Sequence, residues 1–268
     1  MILRQFLHTD PVVAASYIVG CGGKGVGAVI DPVDTPEHYL GAAEQLGMKI
    51  RYVIDTHVHA DHISTGRVLA QAADAAYVLH ADSGAHYEFH GVRDGDRLQM
   101  GNVIAETWHV PGHTPEHIAL IVTDRTRASE SWLAFTGHTL MIGDMGRTEL
   151  AASAEAGALM LFDSAVRLRT LSDQVLVLPG AFSGSLCGRG LSAVPLSSIG
   201  FERAYNRAFS ITDRQAFGDY MLREIPPRPE RAAENRAINM GEQAGTSRDA
   251  ENALARMHTG VGEAPSAL

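Results

Sequence analysis

Four side chains of the kinds that bind metal ions stand close together near residue 60. His57, His59, Asp61 and His62 form the pattern H-x-H-x-D-H directly after the apolar segment RYVIDT. Two imidazoles that lie two residues apart on an extended segment project to the same side, so one ion can take both. The turn that follows brings Asp61 and His62 to the same pocket. This spacing predicts a metal site at the end of a strand.

Two further histidines extend the pattern. His113 lies in the tight-turn sequence PGHT, and His138 follows the apolar segment SWLAFTG. The chain has 13 histidines, and 11 of them lie between His38 and His138. Any one of them alone is better explained as a structural residue of the core or the surface. Taken together, the H-x-H-x-D-H pattern and these strand-end histidines favour metal binding.

Short strands and helices must position these residues. Thr35 can cap a helix from about Pro36 to Gly47, and apolar residues at helical spacing indicate helices near 63–73 and 154–171. Alternating or continuous apolar runs predict strands in ILRQFLH, ASYIVG, GAVID, RYVIDT, AYVLH, VIAETWHV, HIALIVTD, SWLAFTG and QVLVLPG. Two β-sheets covered by helices satisfy this order.

Composition narrows the function classes. The 268 residues include 22 Lys and Arg against 31 Asp and Glu, a formal net charge of −9. No basic run suggests a surface for nucleic acid. No apolar stretch approaches the roughly 18 residues that span a bilayer, and MILRQFLHTD does not resemble a signal peptide, so we expect no membrane partner and a cytoplasmic location. Cys21 and Cys187 are expected to be free thiols.

The C-terminal part differs in composition. The segment PPRPE after Ile225 breaks regular structure, and the residues beyond it contain few large apolar side chains. We therefore expect a catalytic domain over 1–225 and a tail or short helix over 226–268. Just before this boundary, Phe201 and Tyr205 match the apolar face of a helix and are expected to lie in the core.

Longer motifs carry a resemblance to a known family. THVHADH, VPGHTPEH, FTGHTLMIGDMGRTEL and LPGAFSGSLCGRGLSAVPLSSIGFERAYNRAF together resemble the metallo-β-lactamase fold superfamily. Within it they look most like the persulfide (sulfur) dioxygenase branch, a cousin of glyoxalase II. The resemblance covers about residues 1–225. It implies an α/β (α+β) fold, the αββα sandwich, in which two mixed β-sheets are flanked by helices and the metal site lies at one sheet edge.

Two positions depart from the family pattern. His138 stands where the family usually has the Asp of TGD, and Ala181 stands where it usually has the His of PGH or PAH. A neutral imidazole has one free lone pair and cannot bridge two metals. Ala181 removes a ligand of the second metal. Both changes predict one divalent metal ion per chain, with Fe(II) favoured and Zn(II) as the alternative.

The resemblance implies roles for the motif residues. The iron ligands of the dioxygenases fall on three histidines: His57, His113 and His138. His59 becomes a fourth ligand or a close neighbour of the metal. Asp61 and His62 then orient ligands or move protons, a role whose loss costs about 10- to 100-fold in affinity or activity.

Two other residues have open roles. In family members the arginine at the position of Arg147 contacts the thiol carrier, because its fork suits a carboxylate. A structural ion pair with Asp144 or Glu149 explains Arg147 equally well. Cys187 either holds a persulfide in transit or is a small packed residue.

Three functions remain open. The first is a mononuclear non-haem iron dioxygenase that oxidises a low-molecular-weight thiol persulfide, such as glutathione persulfide, to sulfite. The second is a zinc hydrolase of a thioester or ester, as in glyoxalase II, where a metal-bound water attacks. The third is a degenerate member that binds metal without turnover. Dimers are common in this branch, so the resemblance also implies a homodimer.

Overall fold

A computed structural model describes residues 1–150, 152–223, 225 and 228–242 of the chain. Its strands form two six-stranded sheets, with orders β1-β2-β3-β4-β5-β6 and β12-β11-β10-β9-β8-β7. The first sheet contains Ile2–His8 (β1), Ala14–Cys21 (β2), Val26–Ile30 (β3), Lys49–Ile54 (β4), Ala76–His80 (β5) and His90–Val92 (β6). The second contains Arg97–Met100 (β7), Val103–His109 (β8), Ile118–Asp124 (β9), Leu133–Gly137 (β10), Leu176–Pro179 (β11) and Ser197–Ser198 (β12).

Both sheets are mixed. In the first, β1, β2 and β3 pair antiparallel, whereas β3, β4, β5 and β6 pair parallel. In the second, β7 through β10 pair antiparallel, β10 and β11 pair parallel, and β12 closes the edge antiparallel to β11. Because β4 lies between two parallel neighbours, the residues after Ile54 emerge at the edge where the chain also leaves β3 and β5.

The principal core lies between the two sheets. Strand alternation turns one set of apolar side chains inward from each sheet, including Tyr17 and Ile54 from the first and Leu120 and Phe135 from the second. The rings of Tyr17 and Phe135 meet edge to face at 5.0 Å. Burial of these facing side chains from water holds the sheets together.

Helices cover the outer faces, which confirms the predicted αββα sandwich. They are Pro36–Gln45 (α1), Gly66–Ala72 (α2), Ala154–Leu168 (α3), Ile199–Tyr205 (α4), Arg214–Leu222 (α5) and Ala232–Met240 (α6). Helices α1 and α2 pack on the first sheet, and α3 and α5 pack on the second. Thr35 and Ser153 cap α1 and α3, accepting hydrogen bonds from His38 N and Ala156 N. Among the described residues, no helix has the length and apolar character of a membrane span.

Helix α6 lies within the segment predicted to be a tail or short helix. It packs against the body of the same chain, where Ala232 is buried with Ala60 and Leu150. Residues 226–227 and 243–268 of that segment lie outside the described residues. The domain boundary near 225 stays a prediction.

The core placement expected for α4 is wrong. Phe201 is 57% exposed and Tyr205 is 72% exposed. Their rings contact each other at 4.8 Å, whereas the buried side of this short helix is formed by Ile199 and Glu202. Helical spacing showed that the two aromatic residues share a face, but it did not decide whether that face points to the core.

Candidate metal centre

The predicted metal residues meet at one edge of the two sheets. His57 follows β4, His113 lies in the turn between β8 and β9, and His138 follows β10. Asp31, at the end of β3, accepts hydrogen bonds from the backbone N of Thr56 at 2.7 Å and from its hydroxyl at 3.0 Å. The backbone N of Ile118 donates to Thr56 O at 2.8 Å. The bonds to Asp31 connect the ends of β3 and β4 within the first sheet. The bond from Ile118 connects the end of β4 to the start of β9 in the second sheet.

Three histidines form the centre of this edge. They are His57, His113 and His138, and all three are buried. One ring nitrogen of each lies within 4.8 Å of a ring nitrogen of the other two. The Nε2 atom of His57 is buried and has no hydrogen-bond partner among the described residues. A buried polar atom without a partner is costly, and a bound metal ion would satisfy it.

Hydrogen bonds assign the free nitrogen of two of these rings. The hydroxyl of Thr56 donates to Asp31, so it accepts from Nδ1 of His57 at 3.0 Å. Nδ1 of His113 donates to the carbonyl of Arg147 at 2.8 Å. In both rings the lone pair is therefore left on Nε2, as in protein sites where a second hydrogen bond orients a metal ligand.

The spacing inside the group suits one ion. Nδ1 of His138 lies 3.3 Å from Nε2 of His113. Two nitrogens that are each about 2.1 Å from one tetrahedral ion would be about 3.4 Å apart. The residues present therefore fit a divalent metal bound by three imidazoles.

His117 has a different task beside this group. Its Nε2 accepts a hydrogen bond from the backbone N of His138 at 3.0 Å, and its ring stacks on that of His57 at 4.7 Å. Because Nε2 accepts this bond, the proton of the neutral ring lies on Nδ1 and no lone pair is left for a metal. His117 therefore positions His138.

Burial keeps the three central rings neutral. Removal from water, reinforced by neighbouring histidines, lowers the pKa of His113 to about 3 and holds the pKa of His57 well below its usual range. Burial also lowers the pKa of His138. Neutral imidazole is the form that binds metals, so these ligands are ready near neutral pH.

His59, Asp61 and His62 form a second group beside the first. Nδ1 of His62 lies 2.9 Å from Asp61 Oδ1, which leaves Nε2 of His62 buried without a partner among the described residues. Nε2 of His59 lies 3.3 Å from Asp31 Oδ1. Burial opposes the charged form of His59, but Asp31 and Asp61 outweigh it and raise its pKa. Because His59 faces these carboxylates, its role as a fourth ligand stays a prediction.

The position of Ala181 offers this second group no ligand. Ala181 is fully buried and packs with Met141 and Leu191. Cys187 is closer: its Sγ lies within 4.8 Å of donor atoms of Asp61 and His138. Burial and the charge of Asp61 raise the pKa of the Cys187 thiol well above its usual range, so the residue is a buried thiol at the edge of the site.

Arg147 is buried and engaged by its own chain. Its guanidinium pairs with Glu149, donating from Nε to Oε1 at 2.5 Å, and donates from Nη1 to the carbonyl of Leu186 at 3.0 Å. Asp144, the other acid considered as its partner, instead accepts from Tyr220 at 3.0 Å. The structure contains the ion pair with Glu149, and contact of Arg147 with a thiol carrier stays a prediction.

A cavity of about 560 Å³ opens beside the second group. The loop after β4 contributes Asp61, His62 and Ile63 to its wall, and the residues before α6 contribute two arginines, Arg228 and Arg231. Its volume falls in the range of small-molecule sites. The cavity reaches Asp61 and His62 of the second group.

Sequence reasoning missed the residues of α6 that contact residues 57–62. Asn235, Arg236 and Asn239 of α6 donate hydrogen bonds to backbone carbonyls between Val58 and His62. Polar residues on a short helix give no sequence signal for such a role, because the contacts join positions about 180 residues apart. Only the fold brings them together.

The family follows from the site and from a direct match. Residues 9–180 match the family model for the metallo-beta-lactamase superfamily. The chain belongs to this superfamily. Its members bind divalent metal ions, in agreement with the clusters of histidine and aspartate at the sheet edge.

Curated relatives of this superfamily member carry two different activities in their names. The mitochondrial persulfide dioxygenase ETHE1 of Bos taurus is 33% identical over 151 residues, which cover 56% of each chain. A hydroxyacylglutathione hydrolase of Acaryochloris marina is 30% identical over 177 residues, or 64% of this chain and 66% of that protein. The matched region spans a little over half the length of the ETHE1 relative.

Solved structures of the superfamily share the fold over most of the chain. A metallo-beta-lactamase from Staphylococcus aureus has a TM-score of 0.83 at 31% identity, covering 89% of this chain and 72% of that one. ETHE1 from Myxococcus xanthus has a TM-score of 0.75 at 28% identity, covering 89% of this chain and all of that one. The resemblance expected from the motifs is therefore confirmed at the level of the superfamily.

Proposed function

We propose that the chain is a mononuclear non-haem iron dioxygenase that oxidises the outer sulfur of a low-molecular-weight persulfide, of the glutathione persulfide type, to sulfite. The observation that carries this proposal is the buried set of three neutral histidines, His57, His113 and His138. The similarity of the chain to ETHE1 proteins supports iron as the metal and a persulfide as the substrate.

The reaction balances without a further reagent. One persulfide, one dioxygen and one water give one thiol, one sulfite and two protons. The sulfur–sulfur bond breaks, the outer sulfur loses five electrons, the inner sulfur takes one of them to become the thiol, and dioxygen gains the other four. Bound iron supplies the redox chemistry. Three imidazoles without a carboxylate leave the divalent site one unit more positive than a two-histidine, one-carboxylate site, which favours an anionic sulfur ligand.

The remaining residues of the site would bind the substrate and handle protons. The carrier would lie in the cavity beside Asp61 and His62. The unpaired Nε2 of His62 can take the proton of the persulfide, and Asp61 would stabilise the imidazolium through its contact with Nδ1. Arg228, in the same wall, can pair with a carboxylate of the carrier.

A zinc-dependent thioester hydrolase is the second candidate. Its support is the similarity to hydroxyacylglutathione hydrolases and the extra donors of His59, Asp61 and His62 beside the central group. Against it, the position of Ala181 gives a second metal no ligand, and His138 cannot bridge two ions.

The deciding experiment combines metal content with two assays. Protein purified under low oxygen without added metal should contain about one iron per chain, and should consume oxygen with glutathione persulfide. One zinc with cleavage of a glutathione thioester would replace the proposal by the hydrolase. Two metals per chain would contradict the assignment of His138 and Ala181. Metal without either activity would indicate a binding protein.

His113→Ala is the matching variant, because it removes one of the three ligands. We expect more than about 100-fold loss of oxygen uptake together with loss of bound metal. His90→Ala is the control, since His90 is an exposed histidine of β6. An unchanged rate in His113→Ala would refute the site.

A further inference from the structure

Helix α6 lies across the metal loop, which we define as residues 57–62. Its polar face carries Asn235, Arg236 and Asn239, and each of these side chains reaches the loop. Asn239 Nδ2 donates to the carbonyls of His59 and His62, both at 2.8 Å. Two carbonyls of the loop backbone are thus bound to one amide.

The other two side chains extend the same contact. Asn235 Nδ2 donates to Ala60 O at 3.1 Å, and Arg236 Nη1 donates to Val58 O at 2.9 Å. Four carbonyls of the loop, those of Val58, His59, Ala60 and His62, therefore accept hydrogen bonds from α6. Buried carbonyls without partners are costly, so the loop backbone is stabilised in the conformation that α6 accepts.

Arg236 also joins the metal loop to the turn that carries His113. It donates to Glu116 at 3.0 and 3.3 Å, and the backbone N of Val58 donates to the same carboxylate at 3.0 Å. Glu116 is 3% exposed. Charge-assisted hydrogen bonds of this kind are stronger than neutral ones and hold their partners in a fixed geometry.

The C-terminal end of α6 is held by residues in the loops that follow β4 and β5. Tyr87 donates to the carbonyl of Asn239 at 2.6 Å, and the backbone N of His86 donates to Met240 O at 2.8 Å. The backbone N of Ser64 donates to Asn239 Oδ1 at 3.0 Å. The amide of Asn239 is therefore fixed at both of its ends and cannot rotate without breaking a bond.

We propose that α6 is a positioning element of the metal centre, in which Asn239, with Asn235 and Arg236, holds the metal loop in the conformation that binds metal. None of these side chains is a metal ligand. They act through the backbone carbonyls of Val58, His59, Ala60 and His62, as outer partners of metal ligands do in other sites. The inference rests on the proposed metal site and is independent of which reaction occurs there.

The test measures metal affinity in the full chain rather than activity. Asn239→Ala should weaken the affinity for Zn(II), measured by competition with a chromophoric chelator, by about 10- to 100-fold. The visible spectrum of the Co(II)-loaded protein should also change, because that spectrum reports ligand geometry. Glu234→Gln is the control, since Glu234 is exposed on the same helix and pairs only with Arg231 among the described residues.

Asn235→Ala is a milder second variant, which keeps the proposal testable if Asn239→Ala does not fold. It removes the single bond to Ala60 O, and we expect about 3- to 10-fold weaker metal binding, consistent with one lost hydrogen bond of about 1 kcal/mol. Folding is checked for both variants by circular dichroism of chelator-treated protein. A folded variant with wild-type affinity and an unchanged Co(II) spectrum would overturn the proposal.

The two proposals fail in different ways. If the wild-type chain binds no divalent metal, the metal site itself is wrong. If the wild-type chain binds metal tightly and the α6 variants bind it equally well, only the role of α6 is wrong.

Discussion

At the scale of single residues, the site depends on side chains that orient the proposed metal ligands and are not ligands themselves. The hydroxyl of Thr56 accepts a hydrogen bond from Nδ1 of His57 and donates one to Asp31. His117 receives the backbone N–H of His138. These contacts decide which ring nitrogen keeps its lone pair. The H-x-H-x-D-H spacing predicted that one ion could take both His57 and His59, whereas the structure groups His57 with His113 and His138, and His59 with Asp61 and His62. The folded contacts also decide which atom of each ring is free to bind an ion.

Thr56→Val tests the hydrogen bonds that connect His57 to Asp31 through Thr56. The variant keeps the branched shape and loses the hydroxyl, so His57 is no longer held in one tautomer. We expect metal affinity to fall about 10- to 100-fold, measured by chelator competition. Thr56→Ser retains the hydroxyl and should bind nearly as tightly as wild type. Equal affinities for the valine and wild-type chains would show that Thr56 does not orient His57.

At the scale of elements, the ends of β4 and β10 approach each other more closely than ordinary residues allow. Gly137 ends β10 with a φ of +50°, and a Cβ there would lie 2.5 Å from Thr56 Oγ1 and 2.6 Å from the ring of His117. The left-handed backbone and the lack of space both require glycine. The strand before it was predictable from SWLAFTG, whereas this close approach was not, because its partners come from elsewhere in the chain.

Gly137→Ala should therefore destabilise the fold. Backbone strain and the displaced contacts predict a loss of about 1–3 kcal/mol in the free energy of unfolding, measured by urea denaturation. Gly41→Ala is the matched control. Gly41 lies in α1 with open space around it, so alanine should raise stability by about 0.5–1 kcal/mol. Similar effects of the two substitutions would contradict the strain at Gly137.

The segment before α6 provides a second test at this scale. Arg228 lines the cavity beside Asp61 and His62, and Glu230 and Arg231 line the same cavity. If Arg228 pairs with a carboxylate of the carrier, Arg228→Gln should raise KM for glutathione persulfide about 3- to 10-fold with little change in kcat, equivalent to one exposed ion pair.

A neutral carrier serves as the comparison for Arg228. The persulfide of a small thiol without carboxylates should show the same KM with the wild-type and Arg228→Gln chains. Arg93→Gln, in an exposed ion pair with Asp82, controls for loss of a surface charge. An equal rise in KM for both persulfides would mean that Arg228 does not recognise the carboxylate.

At the scale of the whole molecule, the metal centre joins the two halves of the sandwich. His57 comes from the first sheet, whereas His113 and His138 come from the second. An ion bound to all three would connect the sheets at one edge, in addition to the apolar core between them. Because the unfolded chain does not assemble this site, metal binding favours the folded state.

Metal removal should therefore lower thermal stability. At a free metal concentration of about 100 times Kd, linkage predicts about 2.7 kcal/mol of stabilisation, which differential scanning calorimetry of loaded and chelator-treated protein can detect as a fall in Tm. His113→Ala should show almost the same Tm in both conditions. A wild-type Tm that does not respond to chelator would count against an ion that spans the sheets.

The sequence by itself indicated two sheets covered by helices and a metal site built from strand-end histidines, because hydrophobic periodicity and motif spacing are local properties of the chain. The superfamily, its sandwich and the set of His57, His113 and His138 followed from the resemblance of the longer motifs. The tertiary structure decided the ring nitrogens that face the site, the exposure of Phe201 and Tyr205, and the place of α6 over the metal loop. Each of these depends on groups far apart in the chain. Such contacts arise only when the sheets close on one another, and no pattern within a short segment encodes them.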